Sequence, residues 1–228
     1  MILEAFGVRR GDVVAVVGGG GKTTLRDALI AAARPWRVIG TTTTKSGPVD
    51  GALFNPDRAA LAAALDRDGC AFVVSARETE RRWIGVTPAW IDSARDLADL
   101  VVVEADGARR KPLKAPAGYE PVIPPSATLV IAVVGAEAIG ARASDALVHR
   151  LALSPFADGE PISPEALAAH VESSRGYRKS VPESARFVPF VNKVSRAAPG
   201  MVESLVAALE SPRVVWGEAL EGIFHVRG

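Results

Sequence analysis

Residues 12–25 read DVVAVVGGGGKTTL. A run of valines breaks into four glycines, and Lys22-Thr23-Thr24 open a stretch with helical spacing. The apolar run has the composition of a strand buried on both faces of a parallel sheet. Glycines at Gly18, Gly19, Gly20 and Gly21 let the backbone curl so that successive N–H groups face an anion. The helix behind them adds the partial positive charge of its N-terminus. In a phosphate-binding loop of this kind Lys22 reaches the β- and γ-phosphates and the Thr23 hydroxyl ligates Mg²⁺. Gly18 to Thr24 are therefore the first candidate nucleotide-binding residues. The fit to G-x-x-x-x-G-K-[ST] departs at its first glycine, where Val16 stands, and keeps the Gly21-Lys22-Thr23 end. A plain glycine turn is the competing reading, but it explains neither four glycines nor Lys-Thr at the helix start.

Working outward, Val- and Ile-rich runs predict strands at 12–17, 37–41, 71–75, 99–105, 128–134, 186–191 and 213–216. Helical spacing falls between them at 22–33, 57–67, 88–98, 144–152, 164–172 and 200–210. Ser163-Pro164 marks the start of one of these helices, an N-cap followed by proline at the first helical position. Strands alternating with helices predict an α/β fold. Its expected form is a mostly parallel sheet with flanking helices, a three-layer architecture like that of P-loop NTPases, with residues 1–228 as a single nucleotide-binding domain. Ligands of such sheets bind at the carboxyl ends of the strands, so those ends are where chemistry is sought.

The second strand runs into Thr41-Thr42-Thr43-Thr44-Lys45. These threonines extend a strand well; beside a phosphate loop, Thr43 is a candidate hydroxyl for Mg²⁺ or the γ-phosphate and Lys45 a second cation. The run VVVEADG carries Glu104 and Asp106 to a strand tip. Phosphate-loop enzymes need a carboxylate there to hold Mg²⁺, and residues two apart share a strand face. Lys22, Glu104 and Asp106 are the candidate catalytic residues, and Thr23, Glu104 and Asp106 the candidate metal ligands. The following ARRKPLKAP places four cations in six residues, of which Arg109 and Lys114 are candidate phosphate contacts; a solvated basic loop has the same composition. A late strand ends in Asn192-Lys193-Val194-Ser195. In GTPases the pattern is Asn-Lys-x-Asp, whose carboxylate pairs with guanine. With Ser195 in that place a hydroxyl replaces the carboxylate, so Asn192 and Lys193 are expected to pack on either purine with weak base discrimination. His149, in the segment expected to be helical at 144–152, reads as structural, with no second histidine beside it.

Charge and composition narrow the class. The 228 residues carry 27 Lys and Arg against 26 Asp and Glu, and 48% are apolar. That balance argues against a general nucleic-acid or membrane-surface binder. No apolar run approaches the roughly 20 residues a membrane helix needs, and the N-terminus lacks a signal-peptide layout. A cytoplasmic location is expected. Cys70 is the single cysteine, which excludes an intrachain disulfide or a cysteine zinc cluster.

The ordered set VVGGGGKTTL, TTTTK, VVVEADGARRKPLKAPAGYEPVIP, VVG at 133–135, VHR at 148–150 and FVNKV resembles the YqeC family. The resemblance runs from about residue 5 to 215, and EADGARRKPLKAP is its most specific part. It implies a P-loop nucleotide-binding protein using Mg²⁺ with ATP or GTP. It also implies an accessory role in maturing selenium-dependent molybdenum hydroxylases, relatives of xanthine dehydrogenase, with a link to molybdenum cofactor metabolism. The implied partners are the nucleotide and a molybdenum hydroxylase or cofactor-maturation protein. The family's usual pattern has Asp where this chain has Ser195. Three activities share these residues: an Mg-dependent NTPase, a small-molecule kinase whose acceptor is held by the basic loop, and a nucleotide-binding interaction module without catalysis.

Overall fold

The computed structural model describes residues 1–228. At its centre lies a nine-stranded sheet. In chain order its strands are Asp12–Gly18 (β1), Val38–Thr42 (β2), Leu53–Phe54 (β3), Cys70–Val74 (β4), Leu100–Glu104 (β5), Leu129–Gly135 (β6), Arg186–Asn192 (β7), Val214–Glu218 (β8) and Ile223–Arg227 (β9). Across the sheet the order is β9-β8-β7-β6-β1-β5-β2-β4-β3. Every neighbouring pair is parallel except β8–β9 at one edge. The helices are Ile2–Phe6 (α1), Lys22–Ala32 (α2), Arg58–Asp68 (α3), Pro88–Ala94 (α4), Pro164–Glu172 (α5) and Met201–Ala208 (α6).

Both faces of the sheet are covered. Along β1, Val13, Ala15 and Val17 point into the larger core, shared with Leu61, Ile91, Leu167 and Leu205 of α3 to α6. Val14 and Val16 point into the smaller core, with Phe6 of α1 and Leu25 and Leu29 of α2. Burial on both sides is why β1 reads as an unbroken apolar run rather than an alternating one. The result is a mostly parallel α/β sheet between helices, the three-layer arrangement of P-loop NTPases. No helix is long and apolar enough to cross a membrane.

Three helices start on side-chain caps. Asp57, Thr87 and Ser163 accept the N–H groups of Ala60, Trp90 and Ala166 at 2.8, 3.1 and 3.1 Å, which satisfies amide groups otherwise left open at a helix start. Helix α2 begins after Gly21, which has no side chain to cap with. After β1 the chain moves to β2 on one side and returns to β6 on the other, with β5 inserted between β1 and β2. The crevice at such a switch in strand order, outside the carboxyl end of β1, is where a ligand fits best.

One expected helix is absent. In the 144–152 segment the chain forms a two-residue strand, Val148–His149, paired in parallel with Leu113–Lys114, then a 3₁₀ turn at Leu151–Leu153. Arg150 between them adopts φ 65°. A strand pairing to a distant segment overrides the local helical spacing, which no periodicity within the segment can reveal. The sheet-edge strands β3 and β9 and the short helix α1 also lie outside the sequence expectation; two or five residues carry too little pattern to stand out.

His149 is thus packed beside the basic segment rather than on a helix. Burial, reinforced by the charges of Arg150, Lys114 and Arg109 and opposed by Glu120, holds its pKa down to about 4 from an ordinary 6.5. A depressed folded-state pKa means that the unfolded chain takes up the proton first. Stability from this group is therefore complete above pH 6.5 and lost as the pH falls toward about 4. Denaturant midpoints measured across that window are expected to fall in the native protein and to fall less steeply in His149→Gln. Parallel curves would contradict the assignment.

Candidate functional site

β1 ends at Gly18 and α2 begins at Lys22, so only Gly19, Gly20 and Gly21 span the turn. The turn is crowded. A Cβ on Gly19 would lie 2.6 Å from the Pro112 carbonyl oxygen and 2.7 Å from that of Lys111. One on Gly21 would lie 2.5 Å from the Asn192 amide nitrogen, and ones on Gly18 and Gly20 would strike the Val133 carbonyl and Gly135. The four glycines are needed because three other segments pack against the loop backbone.

That packing also decides which amides face outward. The Gly18 N–H donates to Asp106 Oδ2 at 3.0 Å, that of Gly19 to the Val133 carbonyl at 2.9 Å and that of Gly20 to the Lys111 carbonyl at 3.0 Å. The inward curl expected of the whole quartet is thus restricted to Gly21, Lys22, Thr23 and Thr24, whose N–H groups have no partner in the protein. They form an uncapped helix start, which carries partial positive charge and open donors.

Lys22 is almost wholly buried, and its Nζ donates to the Gly18 carbonyl at 2.6 Å and pairs with Asp106 Oδ1 at 3.1 Å. An ammonium has three donors; Gly18 takes one, while the Asp106 contact is an ion pair in which Oδ1 accepts no hydrogen bond. Asp106 is also buried and pairs with Lys114 at 3.3 Å. Lys114 has no solvent exposure; its remaining partners are the Gly107 carbonyl and Glu120, both at 2.8 Å. Its ammonium is enclosed by these three oxygens, and it does not line the cavity in front of the α2 start. Arg150 closes the chain of charges on the same Glu120 oxygen. Burial works to raise the Glu120 pKa, but hydrogen bonds and charge from Lys114 and Arg150 outweigh it and hold the carboxyl below its usual range.

Glu104 faces the other way. Its Oε2 accepts the Thr23 hydroxyl at 3.0 Å and meets Arg26 Nη1 at 3.3 Å. The shared strand face expected for Glu104 and Asp106 does not arise, because β5 ends at Glu104 and Asp106 lies in the loop beyond. Arg26 is buried, with its guanidinium 4.7 Å over the Phe72 ring. It lies one turn after Lys22, on the face that meets the strand tips.

The threonine run is largely occupied with structure. Thr41, Thr42 and Thr43 donate their hydroxyls to the carbonyls of Val73, Glu104 and Val122 at 2.7, 2.9 and 2.7 Å. Lys45 pairs with Glu78 at 2.6 Å. Asn192 is buried and donates to the Gly20 carbonyl at 2.8 Å, while Lys193 pairs with Glu137 at 2.8 Å.

In front of the α2 start lies a cavity of about 760 Å³, within the range of small-molecule and cofactor sites. Of the residues expected from sequence, Gly20 to Thr24, Lys45, Glu104, Arg109 and Lys193 line it. Gly18, Gly19, Asp106, Lys114 and Asn192 are buried and do not line it, and neither does the half-buried Thr43. Arg109 and Arg110 take left-handed backbone angles, φ 50° and 63°, and present guanidinium groups with no carboxylate partner. Sequence reasoning missed Arg26, Glu120 and Tyr177. Tyr177 is fully buried under Gly18, with its hydroxyl accepting the Lys114 N–H at 3.0 Å; burial pushes its pKa up, so it stays protonated. The spacing of Arg26 from Lys22 was the one signal available for these three.

Comparison with known proteins bears on residues in the same segments. The family model described as YqeC protein matches residues 14–152. The chain is 36% identical over 223 residues to the Escherichia coli (strain K12) protein named "Uncharacterized protein YqeC", an alignment that covers 90% of this chain and 84% of that one.

Crowding at the loop sets an expected cost. Gly19→Ala forces a methyl against two backbone carbonyls, and overpacking of this kind costs about 1–3 kcal/mol. Urea unfolding is the check; a midpoint unchanged from the native protein would mean that the 111–112 segment yields freely.

Proposed function

The chain belongs to the YqeC family, and on that premise we propose that it binds a nucleoside triphosphate with Mg²⁺ and hydrolyses it. The observation that carries this reading is the set of four unpartnered N–H groups from Gly21 to Thr24, with the buried Lys22 ammonium beside them. Such a set accepts the oxygens of a phosphate chain, and a Lys22 proton not spent on Gly18 adds a charge-assisted bond.

Thr23 and Glu104 suit Mg²⁺. Their side-chain oxygens are 3.0 Å apart; adjacent ligands of an octahedral ion at about 2.1 Å stand about 3 Å from one another. No group of three or more His, Cys, Asp and Glu side chains able to hold a metal is present, and Mg²⁺ on nucleotides needs none, since phosphates and water complete its shell. When bound, the ion neutralises charge on the phosphates. Arg26 holds Glu104 in place, and Asp106 fixes the rotamer of Lys22 while staying out of the cavity. Residues Arg109 and Arg110 supply positive charge to the mouth.

As a family member the protein acts, in this reading, as an accessory factor in maturation of selenium-dependent molybdenum hydroxylases, which follows from the family resemblance. One observation favours a second activity. The unpaired guanidinium groups of Arg109 and Arg110 suit an anionic acceptor, as a small-molecule kinase requires. Trapping of the γ-phosphoryl group by water or by small hydroxylated acids divides the two, and binding without turnover assigns a non-catalytic module.

Lys22→Ala is expected to weaken Mg-nucleotide binding by about 1.5–3 kcal/mol, the scale of one hydrogen bond to a charged group. Glu104→Gln is expected to impair Mg²⁺-dependent turnover more than nucleotide binding. Calorimetry on folded variants, with a magnesium titration of the hydrolysis rate, tests both. Unchanged affinity in Lys22→Ala removes the phosphate role, and an unchanged rate in Glu104→Gln removes the metal role.

A further inference from the structure

Asn192, at the end of β7, joins two loops. Its Nδ2 donates to the Gly20 carbonyl at 2.8 Å, and its Oδ1 accepts the Ala219 N–H at 3.0 Å. It therefore ties the phosphate loop to the turn that follows β8. In register Asn192 sits beside Gly217, so the tips of β7 and β8 form one shelf. On that shelf Glu218 Oε1 accepts the backbone N–H of Ser195 at 2.8 Å. The other Glu218 oxygen has no protein partner, and the side chain is half-buried. The shelf adjoins the cavity through Lys193, which lines it.

We propose that Glu218, and not the residue at position 195, reads the nucleotide base, and that it selects guanine. The inference rests on the nucleotide-binding reading above and names the base. Guanine presents N1–H and a 2-amino group side by side, two donors for one carboxylate. Each carboxylate oxygen can accept twice, so Oε1 keeps its bond to Ser195 while it takes up the base. Adenine places an acceptor at N1 and nothing at position 2, which leaves the carboxylate facing a lone pair. Sites built around such a polar partner discriminate strongly, because the wrong ligand leaves that partner unsatisfied.

The surroundings support the assignment. The Ser195 amide fixes the direction of the Glu218 carboxylate. Position 217 admits only glycine, since a Cβ there would strike the Ile223 carbonyl, so the backbone that carries Glu218 is held tightly. Lys193 has its ammonium drawn to Glu137 at 2.8 Å, which leaves its methylene stem as an apolar surface for a ring. Leu220, two residues further on, is 85% exposed and adds an apolar group to the same turn. The weak base discrimination expected from Ser195 assumed that no carboxylate stood there; one arrives from 23 residues later in the chain.

Competition binding of GTP, ATP and xanthosine triphosphate to the full chain with Mg²⁺, native and Glu218→Gln, tests the proposal. The native protein is expected to bind GTP at least about tenfold more tightly than ATP. Glutamine keeps one acceptor and gains a donor, the complement of the N1–H and 2-oxo groups of xanthine. The variant is therefore expected to lose about tenfold or more in GTP affinity, to leave ATP unchanged and to gain xanthosine triphosphate by a similar factor. That gain cannot come from misfolding. Equal native affinities for GTP and ATP, or a variant with native GTP binding, would overturn the role of Glu218 and leave nucleotide binding standing. A folded native protein that binds none of the three would overturn both readings.

Discussion

The Asp106 carboxylate accepts the Gly18 N–H and forms ion pairs with both Lys22 and Lys114. It fastens the end of β1, the first residue of α2 and the segment after β5 into one unit, in a place almost free of water. Taking charges out of water is costly, and removal of one partner from a buried pair costs about 3–5 kcal/mol because the other is left uncompensated. Alternation of sign makes the cluster tolerable: Lys22, Asp106, Lys114, Glu120 and Arg150 follow one another from the loop toward the surface. Lys22 is restrained by its bond to the Gly18 carbonyl and its ion pair with Asp106; in the proposed nucleotide-binding role that restraint spares the entropy of ordering a long side chain on binding.

The glycine quartet belongs to the same construction. Its amides at Gly18, Gly19 and Gly20 are taken by Asp106, Val133 and Lys111, and its missing side chains make room for the 111–112 carbonyls, Gly135 and Asn192. Four glycines thus serve close packing as much as conformational freedom. Because the loop is tied on three sides, donors remain open only at the helix start. The basic turn at 109–111 gains its place in the same way, through the Gly20 N–H bond to the Lys111 carbonyl. Arg109 and Arg110 are held next to the loop by backbone geometry rather than by ion pairs.

Cations and acids around the cavity are also sorted by packing. Lys45 and Lys193 have carboxylate partners on neighbouring segments, Glu78 and Glu137. Glu104 is shared between Thr23 and Arg26. Spare bonding capacity around the cavity lies with the amides of 21–24, the Lys22 ammonium, the two arginines of the 109–110 turn, the buried Ser46 hydroxyl and the second oxygen of Glu104. That distribution suits an anion with its charge spread along its length.

Much of this was legible in the residues themselves. Seven strands and five of the six expected helices lie close to where apolar runs and helical spacing put them, since burial on both faces writes β1, β5 and β6 as continuous valine-rich runs. The Gly21-Lys22-Thr23 signature and the acids after VVV meet at one edge of the sheet, because parallel strands bring their carboxyl ends together whatever the intervening chain. Sequence could not divide those residues into wall and support. Glu104 and Asp106 are two positions apart yet face different surroundings, because the strand ends between them. Lys114 stands in a basic stretch and is its most buried member, through pairing with Asp106 and Glu120. His149 left its expected helix for a strand pair with Lys114, and Glu218 reached Ser195 from another strand. Local pattern records which face of an element meets the core; which charges meet each other depends on contacts between distant segments, and only the tertiary fold decides those.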